Sequence, residues 1–317
     1  MGQEKSQPMS QPIDESKPFD FDEANKLFNN GNFDYLIRLC EIHISKKNAD
    51  ACYTLGKLYS GIFVTKKYFD YDNAIKYFEL AIEYGNTRTL CLTKLAEMYF
   101  YGYDDWCKKN YLVKKISKAP KCNYVKSFEL FNKAIDEGDS ISFHSVGIHY
   151  ENGFGVPIDY KLAMKNYIEA YENGHKYVID HICNLFLNEK GHNMDSDECL
   201  TWMYKKLDDN SSLSTYDLEY LSILLNLAKI YMARKNYEKA MEYCNDAIKK
   251  NIYHYESGHV ELRKKCQKLI NEILIKQEIH RIQSLRNESD KIKQMEKIIN
   301  EQKNQIDQLL SIAKPSL

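Results

Sequence analysis

The residues with most chemistry to offer lie close together between Ser142 and Gly174, in SFHSVGIHYENGFGVPIDYKLAMKNYIEAYENG. Gly153 and Gly155 make a Gly-x-Gly turn of the kind that can cradle a phosphate. No strand pattern precedes it and no Gly-Lys-Ser/Thr run follows, so a structural loop is the better reading. His144 and His149 could each offer an imidazole, but a spacing of five puts them on different faces of a helix. Neither has a Cys or carboxylate at ligand spacing, so we read both as helix-surface or groove histidines. With no His-Glu-x-x-His, nucleophile elbow or paired-carboxylate pattern elsewhere, the sequence predicts no catalytic residue, no metal and no cofactor.

A second group of reactive side chains fills Tyr101 to Tyr124. Trp106, Lys108, Lys109, Lys114 and Lys115 lie there among tyrosines, and basic residues interleaved with aromatics can grip phosphates and stack bases. The same composition suits a solvated loop or a protein-docking knob. The formal net charge of −1 argues against a globally basic nucleic-acid binder. Nine cysteines are scattered without any Cys-x-x-Cys, and Cys40 and Cys244 fall where a small apolar residue belongs in a helix pair. An odd, dispersed set of thiols predicts a reducing setting, intracellular and cytoplasmic. No run of about 18 apolar residues is present, so no membrane span is expected.

These residues need elements to hold them, and the spacing says which. Gly147 and Tyr150 stand one turn apart on a first helix, which Gly153, Gly155 and Pro157 interrupt. Asp159 can cap a second helix, on which Ala163, Tyr167 and Ala170 form one apolar face before Gly174 stops it. The pattern recurs in units near 19–47, 51–85, 91–138, 142–174, 178–207 and 221–250. Ala74 to Ala81, Ser127 to Ala134, Ala163 to Ala170 and Ala240 to Ala247 are each seven apart. Gly85, Gly138 and Gly174 each follow the later small residue by four. First-helix steps vary more, so helices of constant size joined by variable loops are implied, as in a stacked array. The unit at 178–207 is the most worn.

After residue 256 the register changes. Residues 257–313 contain no proline and predict one long helix, whose Leu262, Cys266, Leu269, Ile270, Ile273 and Leu274 would cap the array. Leu285, Ile292, Ile299 and Ile306 then repeat every seven residues, with Met295 and Leu309 on the second seam and Glu288 interrupting it. That predicts a coiled coil. Residues 1–18 are polar, carry three prolines and predict a disordered arm.

The run of Gly153, Gly155, Val156 and Asp159, followed by Ala163, Tyr167 and Ala170, resembles the Sel1-like signature. Leu224, Leu227, Ala228, Tyr231, Ala240 and Ala247 resemble the shorter tetratricopeptide consensus. The resemblance implies an all-α fold, a right-handed superhelical solenoid of about six antiparallel helix pairs over 19–256, followed by the long C-terminal helix of 257–317. It also implies a concave groove lined by first-helix residues. Those positions are Tyr53, Lys57, Thr93, Glu97, His144, Ile148, Asp180, Asn184, Leu225 and Lys229, with Phe21 and Asn25 before them. The function that follows is a non-enzymatic scaffold or adaptor that binds another protein or peptide, with self-association through 257–313. The alternative is a nucleic-acid-associated accessory factor that uses the insertion at 101–124.

Overall fold

A computed structural model describes residues 13–61, 66–86, 88–109, 122–210, 217–250 and 257–312. Among them are thirteen α-helices and no strand. In chain order they are α1 (Phe21–Asn29), α2 (Phe33–Ile44), α3 (Ala49–Tyr59), α4 (Tyr71–Glu83), α5 (Thr89–Lys109), α6 (Tyr124–Asp136) and α7 (Ser142–Asn152). They continue as α8 (Tyr160–Glu172), α9 (Ile179–Leu187), α10 (Asp197–Asp209), α11 (Leu218–Ala233), α12 (Tyr237–Lys250) and α13 (Ser257–Ile312). The chain divides into two compact units, Met1–Leu185 and Phe186–Leu317.

In the first unit, consecutive helices pack as hairpins, α3 on α4, α5 on α6 and α7 on α8. Each second helix is started by a side-chain cap. Asp70 accepts from the Asn73 amide at 3.1 Å, Asn123 from Lys126 at 3.1 Å, and Asp159 from Lys161 and Leu162 at 3.0 Å. Each is also stopped identically. Gly85, Gly138 and Gly174 have φ of 93°, 92° and 94°, and the following amide reaches back five residues, Asn86 to Ala81 O, Asp139 to Ala134 O and His175 to Ala170 O. That is a Schellman closure, which satisfies carbonyls the helix would otherwise orphan.

The residues spaced by seven meet the partner helix. Ala74, Ala81, Ser127, Ala134, Ala163 and Ala170 have no exposed surface. The first helix answers with its own small residue. A Cβ on Gly56 would lie 2.6 Å from the Phe78 ring, and one on Gly147 would lie 2.5 Å from the Tyr167 ring. Phe78 and Tyr167 each stand four residues after the first alanine of their seven-residue pair, so both hairpins make the same notch-and-ring contact.

The Gly-x-Gly loop is structural, as read. Gly153 leaves α7 in the left-handed region, and the Phe154 amide donates to His149 O at 3.0 Å. The Phe154 ring stacks on Tyr124 with centroids 4.6 Å apart. His149 departs from expectation, since it is buried rather than on a helix surface. Its Nδ1 lies 2.6 Å from Phe154 O and its Nε2 lies 3.2 Å from Ser127 Oγ. The side chain therefore ties the loop to α6, with Nδ1–H donating to the carbonyl and Nε2 accepting from the hydroxyl. Helix α5 breaks at Gly102 (φ 62°, ψ −175°), which turns Tyr103 into the core against Phe69 and Tyr71.

At the N-terminus, residues 1–12 of the expected arm lie outside the described residues. Ile13 packs on the first hydrophobic cluster, and Lys46 Nζ donates to Glu15 O at 2.5 Å.

In the second unit α11 and α12 form a hairpin around buried Ala228, Ala240, Cys244 and Ala247. Helix α13 covers it with Leu262, Cys266, Leu269 and Ile273, all buried, while Leu274, expected in the same cap, is half exposed. Beyond Ile273 the described side chains of α13 are exposed.

The three glycine stops yield a direct test. No atom lies within 4 Å of a Cβ built on Gly85, Gly138 or Gly174, so alanine there meets backbone strain alone. Each substitution is expected to cost roughly 1–2 kcal/mol in chemical denaturation, similar at all three sites, and the corresponding asparagine variants are expected to recover part of the loss.

Candidate functional site

In the first unit, α5 and α7 place polar and apolar residues side by side on one face. Glu97 and Phe100 from α5 meet His144, Ser145 and Ile148 from α7 around a cavity of about 240 Å³, closed by Tyr101, Phe131, Ile141 and Tyr177. Three of the expected groove residues, Glu97, His144 and Ile148, therefore share one pocket. They do so because Val146, Gly147 and His149 take the buried positions of α7, which leaves His144, Ser145 and Ile148 facing outward. Glu97 Oε2 lies 3.0 Å from Lys94 Nζ, a partly exposed pair that contributes little to stability but fixes the carboxylate at the pocket edge.

The other expected groove residues divide. Tyr53 is core, its ring 6.0 Å from Phe21 and 6.2 Å from Phe78, and Leu225 is buried in the α11–α12–α13 cluster. Both carry a side chain on the inward face of their helix. Lys57 is half-buried with its ammonium 4.2 Å from the Phe28 ring centroid, and burial lowers its pKa. Thr93 is half-buried, with Oγ1 3.3 Å from Leu90 O. Asp180 and Asn184 are exposed on α9, and Lys229 is exposed on α11 with Nζ 3.3 Å from Asn226 Oδ1. Among the first two candidates, Phe21 and Asn25 are half-buried on α1, with the Arg88 guanidinium 4.0 Å over the Phe21 ring.

Around His144 the structure gathers residues that sequence reasoning passed over. His181, on α9, places Nε2 3.2 Å from His144 Nε2, and Glu151 Oε2 lies 3.5 Å from His181 Nδ1. Tyr167 donates to Glu151 Oε2 at 2.8 Å. His144 and His181 are 37 residues apart, close to the 36-residue step from Gly147 to Cys183. Asking which residues stand one repeat apart would have found the pair. Burial, then the nearby His181 and His175, lowers the His144 pKa to about 4. Burial and the Glu151 carboxylate push the Tyr167 hydroxyl upward.

The expected insertion contacts are not developed by the geometry. Trp106, Lys108 and Lys109 fall at the end of α5, where only the backbone is described, and Lys114 and Lys115 lie outside the described residues. On α13, Leu285, Ile292, Met295 and Ile299 are 55%, 56%, 65% and 61% exposed. The side chains of Ile306 and Leu309 lie outside the described residues.

The Sel1 repeat model matches residues 49–86, 89–112, 117–139, 144–175 and 226–251. The chain carries Sel1 repeats. The four matches in the first unit fall on α3–α4, α5, α6 and α7–α8, and the last falls on α11–α12. The stretch from 176 to 225, which includes the worn copy at 178–207, is unmatched by the Sel1 model. Repeats of this class generally serve as protein-interaction scaffolds. Similar solved structures include a Sel1 repeat protein from Oxalobacter formigenes, at 17% identity over 73% of this chain and 85% of that one, with a TM-score of 0.46. The tetratricopeptide protein YrrB, described as having an unusual peptide-binding site, matches at 18% identity over 71% of this chain and 96% of its own, with a TM-score of 0.46. The antigen c5321 of uropathogenic Escherichia coli matches at 16% identity over 76% of this Sel1-repeat chain and 48% of its own, with a TM-score of 0.45. No curated protein matches the chain. Among the described residues no helix is long and apolar enough to cross a membrane.

His149 gives this subsection its test. Burial lowers its pKa below the ordinary value near 6.5, against the opposing hydrogen bond to Phe154 O. The unfolded chain then takes up a proton at higher pH than the fold does, so stability is full above about pH 6.5 and falls as pH drops below it. His149→Gln is expected to flatten the pH dependence of the denaturation midpoint between pH 7 and pH 5. An unchanged slope would show that His149 is not held neutral.

Proposed function

We propose that this chain is a non-enzymatic interaction scaffold with two contact surfaces. The observation that carries the reading is the pocket shared by α5 and α7, which offers apolar walls and a fixed carboxylate on an outward face of the repeats. A partner peptide seats an apolar or cationic side chain there, between Ile148, Phe100 and Tyr177, with Glu97 at the rim. Asp180, Asn184, Lys57 and Lys229 are further candidate contacts; Tyr53 and Leu225 serve the core.

The second surface is α13 beyond Ile273, which associates with a second copy. Of the sixteen exposed large apolar side chains among the described residues, nine lie from Leu274 to Ile299. Ile275, Ile279, Ile282, Leu285, Ile292, Met295 and Ile299 follow one another at steps of three, four or seven, the spacing of a coiled-coil seam. In a parallel pair, Lys291 of one helix faces Glu296 of the next heptad on the other. The 39 residues from Leu274 to Ile312 extend about 58 Å, long enough for several heptads. On this reading 19–256 is the repeat region and 257–317 supplies cap and pairing helix. The setting is cytoplasmic, in keeping with eight unbridged cysteines among the described residues.

One preparation tests both surfaces. Affinity capture from the native cell with the full chain is expected to retain a discrete partner that Ile148→Asp loses at least about tenfold, as for a central contact, while the thermal melt is unchanged. Equal capture by the variant would remove the pocket from the account. Light scattering on the same samples is expected to give a dimer for the full chain and a monomer for a chain ending at Ile273. A monomeric full chain would refute pairing.

A further inference from the structure

The contact between His144 and His181 has the dimensions of a chelate. Their Nε2 atoms are 3.2 Å apart, and their ring centroids are 5.0 Å apart with planes inclined by 59°. Two imidazole nitrogens on one tetrahedral ion at about 2.0–2.1 Å each stand about 3.3 Å from one another. The centroid distance separates this arrangement from a simple end-on contact. Rings pointing straight at each other would have centroids about 5.5 Å apart at this nitrogen spacing, whereas two rings converging on one ion bring them to about 5.2 Å. The observed 5.0 Å shows a bent approach, closer to the converging value than to the end-on one.

The surroundings set the tautomers and hold the rings. Glu151 Oε2 lies 3.5 Å from His181 Nδ1, so the carboxylate favours hydrogen at Nδ1 and leaves the Nε2 lone pair to accept from His144 Nε2–H, the one proton that a bound ion must displace. Glu151 is itself fixed by the Tyr167 hydroxyl at 2.8 Å. The Tyr167 ring stacks on His181 with centroids 4.8 Å apart, and Tyr177 meets His144 edge-on at 5.1 Å. A carboxylate behind a histidine whose other nitrogen faces a common point is the usual support of a metal-bound imidazole.

We propose that His144 and His181 bind a divalent transition-metal ion of the zinc, nickel or copper class between α7 and α9, with Glu151 as the positioning residue behind His181. Imidazole ligands select that class over calcium and magnesium. Among the described residues no set of three or more His, Cys, Asp or Glu is arranged to hold a metal ion. The ion therefore keeps two positions for water or for a donor on a bound molecule. His181 has a side chain 36% exposed, which gives the ion a way in. This site stands apart from the scaffold reading, because it needs neither a partner nor α13.

Calorimetric titration of the full chain with zinc chloride at pH 7.5 tests it, together with the histidine ring nitrogen signals in nitrogen-15 spectra. One ion per chain is expected at this site, and both Nε2 resonances are expected to move on saturation. Glu151→Gln is expected to weaken binding about 10- to 100-fold at unchanged stoichiometry, His144→Gln and His181→Gln by at least as much, and His192→Gln not at all. The ring signals are read on the unsubstituted chain, so they decide even if a variant folds poorly. Zinc bound as tightly by His144→Gln/His181→Gln as by the original chain, or Nε2 signals that stay fixed at saturating zinc, would overturn the proposal.

Discussion

The close approach of a first helix to an aromatic ring on its second helix sets the geometry on which the repeats depend. At Gly147 the backbone of α7 comes so near Tyr167 that a methyl group would fall 2.5 Å from the ring, and Gly56 stands in the same relation to Phe78. An interior packed to crystal density admits no gap there and no extra carbon. The size of one side chain therefore fixes how close two helices lie. The small residues spaced by seven on the second helix complete the fit, and the Schellman glycine ends that helix with the same φ, 92° to 94°, in all three units.

Tyr167 links this packing to the candidate site. Its ring fills the notch at Gly147 and stacks on His181, and its hydroxyl holds Glu151. Because Gly147 faces inward, His144 and Ile148, three residues before and one after it, are turned toward the pocket. His149 faces inward as well and fastens the loop between the two helices to α6. The rigidity of the outward face thus comes from contacts on the inward one.

The repeat architecture was legible because its signals are local and recur. Small residues seven apart and a glycine four further on are each read within a few residues and adopt the predicted role in α4, α6 and α8, as does the Asp159 cap in α8. The histidines were harder. His149 is polar and was read as a surface residue, yet its burial is satisfied by Ser127 and by Phe154 O, partners that only the folded loop brings together. His144 lacked a visible partner because His181 lies a full repeat away. Tyr53 and Leu225 were assigned to the groove from the resemblance to tetratricopeptide arrays, but the register of α3 and α11 turns them inward. The heptad spacing of apolar residues in α13 was readable without knowledge of the rest of the chain, and the structure shows that Leu285, Ile292, Met295 and Ile299 are exposed.

A double-mutant cycle on Gly147 and Tyr167 tests the central claim most directly. In the original chain Gly147→Ala is predicted to cost roughly 1–3 kcal/mol, the strain of overpacking. With Tyr167→Leu in place the same substitution is predicted to become neutral or stabilising, since alanine favours a helix over glycine by about 1 kcal/mol. An equal cost of Gly147→Ala in both backgrounds would contradict the claim that this contact sets the hairpin.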